Sequence, residues 1–257
     1  MVNQAFLLRA PILDQGAGPR SLAADAVPCS VEDKLRTLST LLQYRPREKI
    51  FSQGEEAQFV YFVGTGLLRI FRIQGQGHRQ IVRFSSDGDI FGFPHKGHYV
   101  NSAEPVYSSL IYRLPWKSFR QLMLTTPELQ TLVLDKIAAE FRHAEGHLLM
   151  LGQQIFCRVA MFLIEMTETR FFDARRQQLT LPINRLDLAD YLGTSLETAS
   201  RAMVKLEEWG IIRRAGTRQI QILDLERLRS LQDGPRRFRN GGERDETPTP
   251  FQAAALQ

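Results

Sequence analysis

Between Arg185 and Trp209 the chain reads RLDLADYL, GTS, LETASRAMVKLEEW, and few folds accept that pattern. Both flanks carry apolar residues at helical spacing, and the three residues between them leave room only for a tight turn, so two short helices must cross. The crossing needs a small residue on the first helix, which Ala189 supplies. It also needs a turn residue tolerant of positive φ four positions later, which Gly193 supplies. Leu188, Leu192, Ala199, Ala202 and Leu206 can then form the core between the helices. Thr194, Glu197, Thr198, Ser200, Arg201 and Lys205 are left on the open side.

Those open-side residues suit the major groove of DNA. Arginine donates two bonds to guanine O6 and N7, glutamate accepts from cytosine N4, and serine bonds either way. Glu197, Ser200 and Arg201 stand on the N-terminal half of the second helix, the half that enters the groove in a helix-turn-helix, and they are the candidates for base readout. A competing reading makes Glu197 and Arg201 only a surface ion pair one turn apart. Two β-like runs follow around Ala215-Gly216-Thr217, a hairpin wing on which Arg213, Arg214 and Arg218 are either phosphate contacts or solvated side chains. Thr194, Thr198, Lys205 and Arg218 are the expected backbone or supporting contacts.

Upstream, Tyr44 to Leu114 is a series of short β-type runs broken by glycines: Lys49–Phe51, Phe59–Val63, Leu67–Ile73, Arg79–Phe84 and Leu110–Leu114. Such spacing predicts a β-roll of jelly-roll type. Turns are expected at Gly54, Gly64, Gly66, Gly75, Gly77, Gly88 and Gly92. Ahead of it, Ser30 reads as the N-cap of a helix carrying Leu35, Leu38, Leu41 and Leu42. Pro127 and Glu128 open a long helix in which Leu134, Ile137, Phe141, Ala144, Leu148 and Leu151 recur at steps of three and four, a seam that packs either on a partner helix or on its own β-domain. A second helix is expected from Gln153 to Phe171, with Val159, Phe162, Leu163 and Met166 on one face, and a short strand over Leu179–Ile183. The expected organisation is a flexible arm over 1–29, a β-roll over 30–126, a dimerisation-type helix over 127–152, a winged helix-turn-helix over 153–232 and a disordered tail over 233–257. The fold class is α+β. Arg236, Arg237 and Arg239 in that tail either supplement DNA contact or solubilise the end.

Several functions are disfavoured. No Walker loop, HExxH, GxSxG or paired-carboxylate motif stands in a suitable context, so we expect no enzyme. Cys29 and Cys157 are the two cysteines and lie far apart, which rules out a disulfide framework or a four-thiolate cluster within one chain and suits the cytoplasm. Cys157 beside Arg158 is either a reactive thiol or, as a free cysteine on a helix usually is, a small packed hydrophobe. The apolar run Ala5–Leu13, broken by Arg9 and Pro11, is too short to span a membrane. His143 and His147 have one-turn ligand spacing but no evident third ligand and read as solvated, while His78, His95 and His98 fall in loops near the roll as weak haem candidates. No metal and no cofactor are expected. The net charge of +5 suits an anionic partner without proving one.

A β-roll, a long dimerisation-type helix and a winged helix-turn-helix in this order resemble the CRP/FNR superfamily of bacterial regulators over about residues 31–231. Glu197-Thr-Ala-Ser200-Arg201 is similar to the E-x-x-S-R recognition signature of its FNR and FixK branches, and Asp187-Leu-Ala-Asp-Tyr-Leu-Gly193 to the segment before it. The resemblance implies a homodimer with paired long helices, double-stranded DNA and RNA polymerase as partners, and a palindrome of TTGA and TCAA half-sites about one helical turn apart. It also implies activation of genes for low-oxygen respiration, denitrification or nitrogen fixation. The cysteine cluster of oxygen-sensing relatives is missing. So is the glutamate that cyclic-AMP-binding relatives carry after the Gly-Asp-x-x-Gly turn: Gly88-Asp-Ile-Phe-Gly92 is followed by Phe93, and no arginine stands in His98–Asn101. The control cysteine that some FixK-like proteins place before the motif is also absent, since the chain there reads Leu181-Pro-Ile-Asn184-Arg185. A ligand-independent dimer is the reading this favours; the alternative is a sensor whose roll binds haem or another small effector.

Overall fold

The computed structural model describes residues 31–233. The expected arm with Cys29, the N-cap at Ser30 and the tail beyond Asp233, with Arg236, Arg237 and Arg239, lie outside the described residues. A short helix α1 (Val31–Thr37) leads into strand β1 (Thr40–Tyr44), so the expected single helix running through Leu42 ends early. Thr40 to Tyr44 instead pair antiparallel with Arg113 to Ser109, and a complete ladder outweighs a helical spacing that four leucines satisfy only locally.

The remaining roll strands are β2 (Phe59–Thr65), β3 (Leu67–Ile73), β4 (Arg79–Ser86), β5 (Ile90–Phe91), β6 (Ser102–Pro105) and β7 (Ser109–Pro115). They make two sheets, ordered β1-β7-β2-β5 and β4-β3-β6. Two expectations need correcting. Lys49–Phe51 yields one bridge, from Phe51 to Ala103, and Gly64 lies inside β2 at a register shift rather than at a turn. Between the sheets, Tyr61, Val63, Leu68, Ile70, Phe91 and Ile111 are buried with Phe51 and Tyr99. The Phe51 and Tyr99 rings stack with centroids 4.0 Å apart, and the Tyr99 hydroxyl donates to the Phe59 carbonyl at 2.8 Å.

Helix α2 (Trp116–Thr125), unanticipated, follows the roll, and α3 (Pro127–Leu151) begins with proline in its first turn, where a missing N–H costs nothing. Phe119 of α2 and Leu129 and Val133 of α3 pack on Val60, Ile90 and Leu114, covering the outer face of the larger sheet. Helix α4 (Ile155–Thr167) is shorter at both ends than the expected Gln153–Phe171, but Val159, Phe162, Leu163 and Met166 are buried as their spacing predicts. Then come β8 (Phe172–Asp173), β9 (Gln178–Thr180), α5 (Arg185–Tyr191), α6 (Leu196–Glu208), β10 (Ile212–Arg214), β11 (Gln219–Ile222) and α7 (Leu225–Ser230). The third sheet is ordered β10-β11-β9-β8, and the strand expected over Leu179–Ile183 ends at Thr180. The core of this C-terminal unit is continuous with Leu67, Ile81 and Phe84, so the unit sits against the outer face of the smaller roll sheet.

Candidate DNA-reading site

The two helices of the motif start on side-chain caps. Asn184 Oδ1 accepts from the Asp187 N–H at 2.8 Å, and Ser195 Oγ accepts from the Thr198 N–H at 3.1 Å. Neither cap was singled out in the sequence, although Asn184-x-x-Asp and Ser195-x-x-Thr are both readable as capping patterns. Gly193 closes α5 at φ +63, and a Cβ there would lie 3.0 Å from Leu151 Cδ2. The backbone conformation favours glycine, and a larger residue would also press on the Leu151 side chain. Ala189, 1% exposed, lies at the crossing, and Leu188, Leu192, Ala199, Ala202 and Leu206 are all buried between and behind the helices.

On α6, Glu197 and Arg201 are exposed and joined as an ion pair, and Ser200 is half-buried beside them. The pair that the competing reading expects is therefore present. Its side chains are 72% and 78% exposed, and such a pair is worth only about 0.5 kcal/mol, so it opens cheaply when a better partner arrives. Thr198 is exposed with its hydroxyl 2.8 Å from that of Ser195, and Thr194 is half-buried in the turn, its N–H donating to the Ala189 carbonyl. Lys205 is turned toward the C-terminal end of α6, pairing with Glu208 at 3.3 Å and lying 5.7 Å over the Trp209 ring.

The wing is β10 and β11, paired Ile212 to Ile222 through Arg214 to Ile220. Arg213 and Arg218 are exposed on it. Arg214 is not: its guanidinium reaches Glu207 at 2.6 Å and its N–H donates to the same carboxylate at 2.9 Å. These bonds hold the Glu207 carboxyl below the usual range and fasten the wing to α6, which removes Arg214 as a phosphate contact.

The long helix divides along its length. Leu134, Ile137, Phe141 and Leu148 are 65%, 50%, 64% and 71% exposed, and Ala144 lies among them, also exposed. Leu151 leaves this row and is half-buried against Gly193. The expectation that His143 and His147 are solvated fails, because the C-terminal unit covers that side of α3. His147 is 9% exposed, stacks on Tyr191 at 4.4 Å and donates from Nε2 to the Tyr191 carbonyl at 2.8 Å. Burial lowers its pKa, outweighing that bond. His143 Nε2 lies 3.4 Å from Glu165; burial alone would lower its pKa, but the Glu165 and Glu140 carboxylates turn the net shift upward. Among the described residues no three His, Cys, Asp or Glu side chains gather as a metal site. His78, His95 and His98 are exposed, the last two bridged in a tight turn. Cys157 is fully buried, and burial raises its thiol pKa, which fits a packed side chain rather than a reactive one. No described helix is long and apolar enough to cross a membrane.

A β-roll joined through a long helix to a winged helix-turn-helix with an exposed recognition face defines a DNA-binding transcription regulator. Residues 41–126 match a cyclic nucleotide-binding domain and residues 157–231 a Crp-like helix-turn-helix domain. The nitrogen fixation regulation protein FixK of Rhizobium meliloti is 35% identical over 189 residues, covering 73% of this chain and 85% of that one. FixK of Azorhizobium caulinodans is 33% identical over 224 residues, covering 82% and 86%. The structure of FixK2 from Bradyrhizobium japonicum superposes with a TM-score of 0.68 at 35% identity, over 75% of this chain and 96% of that one. The chain belongs to the CRP/FNR family of transcriptional regulators, with FixK proteins among its relatives.

Proposed function

We propose that the chain acts in the cytoplasm as a homodimer that reads a palindrome of TTGA and TCAA-like half-sites and activates transcription in contact with RNA polymerase. The observation that carries this reading is the exposed Glu197 and Arg201, with the half-buried Ser200 between them, on the N-terminal half of α6. Arg201 donates to guanine O6 and N7, Glu197 accepts from a base on the opposite strand, and Ser200 meets a thymine or a phosphate. In this reading Thr194, Thr198 and Arg218 contact phosphates or support those contacts, adding affinity without sequence choice. The apolar row from Leu134 to Leu148 supports dimerisation, because a strip of that exposure on a long helix is an interface in want of a partner. The names of the FixK relatives support control of nitrogen-fixation genes.

The roll favours action without a small effector. Its interior is filled by the rings of Phe51, Tyr61, Phe91 and Tyr99, and the stretch His98–Asn101 carries no arginine for a cyclic phosphate, its Asn101 accepting from Arg72 Nε at 3.2 Å. The test of the reading is Arg201→Ala on duplexes carrying each base at the half-site guanine. We expect the loss of discrimination there to be roughly 1 to 3 kcal/mol. An unchanged preference would remove Arg201 from the readout.

A further inference from the structure

The C-terminal unit is not held by α3 and α4 alone. Helix α5 lies on the outer face of the smaller roll sheet, and the centre of that contact is ionic. Asp187, fully buried, meets Arg69 Nη1 at 3.0 Å and Arg79 Nη2 at 2.9 Å. Arg79 also reaches Asp190 at 2.7 Å and Glu104 at 3.1 Å, so one guanidinium ties β4 to β6 and to two positions one turn apart on α5. The next residue, Gln80, donates from Nε2 to the Asp190 carbonyl at 2.7 Å.

A cluster of this kind is a poor source of stability. Removing Asp187 and Arg69 from water is costly, and well-packed apolar residues of similar volume do as well or better. The cluster is not even fully satisfied, since Arg69 Nε and Asp187 Oδ2 are buried without a hydrogen-bond partner. What it does supply is geometry. A guanidinium fork has fixed donor directions, and three carboxylates on two domains meet it in one relative orientation. That orientation bears on DNA reading, because α5 passes through the Gly193 turn directly into α6. Any rotation of α5 on the roll swings Arg201 relative to the long helix, and so relative to the matching Arg201 of a second copy.

Resting on the dimeric, palindrome-reading function above, we propose that Arg79 is a positioning residue that sets the permitted spacing between half-sites by clamping α5 to the roll. It acts through α5 and leaves the reading of bases within each half-site untouched. The test uses the full chain carrying Arg79→Gln, with folding checked by circular dichroism, on palindromes whose spacer is native or changed by about two base pairs. Wild type prefers the native spacing; in R79Q that preference falls by about tenfold or more, while the preference for guanine in each half-site stays. A folded R79Q that keeps the wild-type spacing profile overturns the proposal. If R79Q does not fold, Asp190→Asn, which weakens only the outer arm of the cluster, takes its place under the same criteria. Wild type that binds one half-site as well as a palindrome would instead overturn the dimeric reading. The clamp is then decided without DNA by hydrogen exchange of the α5 amides: faster exchange in the variant keeps it, and unchanged exchange removes it.

Discussion

Arg201 and Glu197 sit in water one turn apart, held by each other, and in the proposed reading a guanine and its neighbours take the place of that pair. On α3, His143 and His147 sit one turn apart with their pKa values pushed in opposite directions. Glu165, Glu140, Arg83 and the Tyr191 hydroxyl surround His143, and the carboxylates win. A folded-state pKa above the unfolded one means that the folded chain holds the proton more tightly. Its stabilisation is therefore full below about pH 6.5 and is lost as pH rises through the raised value. For His143→Gln we expect a larger drop in Tm at about pH 6 than at about pH 8, measured by thermal denaturation. Equal drops at both values would show that His143 is not charged in the folded chain. None of this was legible from one-turn histidine spacing, because Glu165 and Tyr191 come from other helices. The same holds for Asp187: its place beside Ala189 and Gly193 is visible in the sequence, but its partners Arg69 and Arg79 are more than a hundred residues away in the chain.

Among the elements, α6 and the wing are readable because local signals agree: a small residue at the crossing, a turn glycine, helical spacing and then a hairpin. Helix α2 was missed even though Trp116, Phe119, Leu122 and Met123 keep a helical period, and α7 even though Asp224 caps it and Leu228 and Leu231 are buried. Strand β1 was read as helix because Leu41 and Leu42 fit either period and only pairing with β7 decides between them. For α3 the period was right and the partner ambiguous. The structure keeps Leu129 and Val133 for the roll and Met150 for the C-terminal core, and leaves the row from Leu134 to Leu148 exposed. Phe141→Glu puts a charge into that row, and we expect it to convert dimers to monomers in light scattering and to abolish palindrome binding with them. A dimeric, fully DNA-active F141E would place the interface elsewhere.

Over the described residues, the molecule is a roll with an aromatic interior, a long helix with one apolar face in solvent, and a C-terminal unit that packs on the roll through a shared apolar core and is oriented there by an ionic cluster. The net charge of +5 favours approach to DNA of any sequence, whereas the proposed function assigns selectivity to a few side chains of α6. The two contributions separate with salt: phosphate contacts weaken as counterions compete, and base contacts keep their ratio. The central claim is therefore tested most directly by fluorescence anisotropy of the purified, ligand-free chain on a TTGA/TCAA palindrome and a scrambled duplex at several salt concentrations. We predict tight binding to the palindrome, with a preference over the scrambled duplex that persists as salt weakens both. Weak binding with no preference at any salt would contradict the account and point to an effector that the roll must first receive.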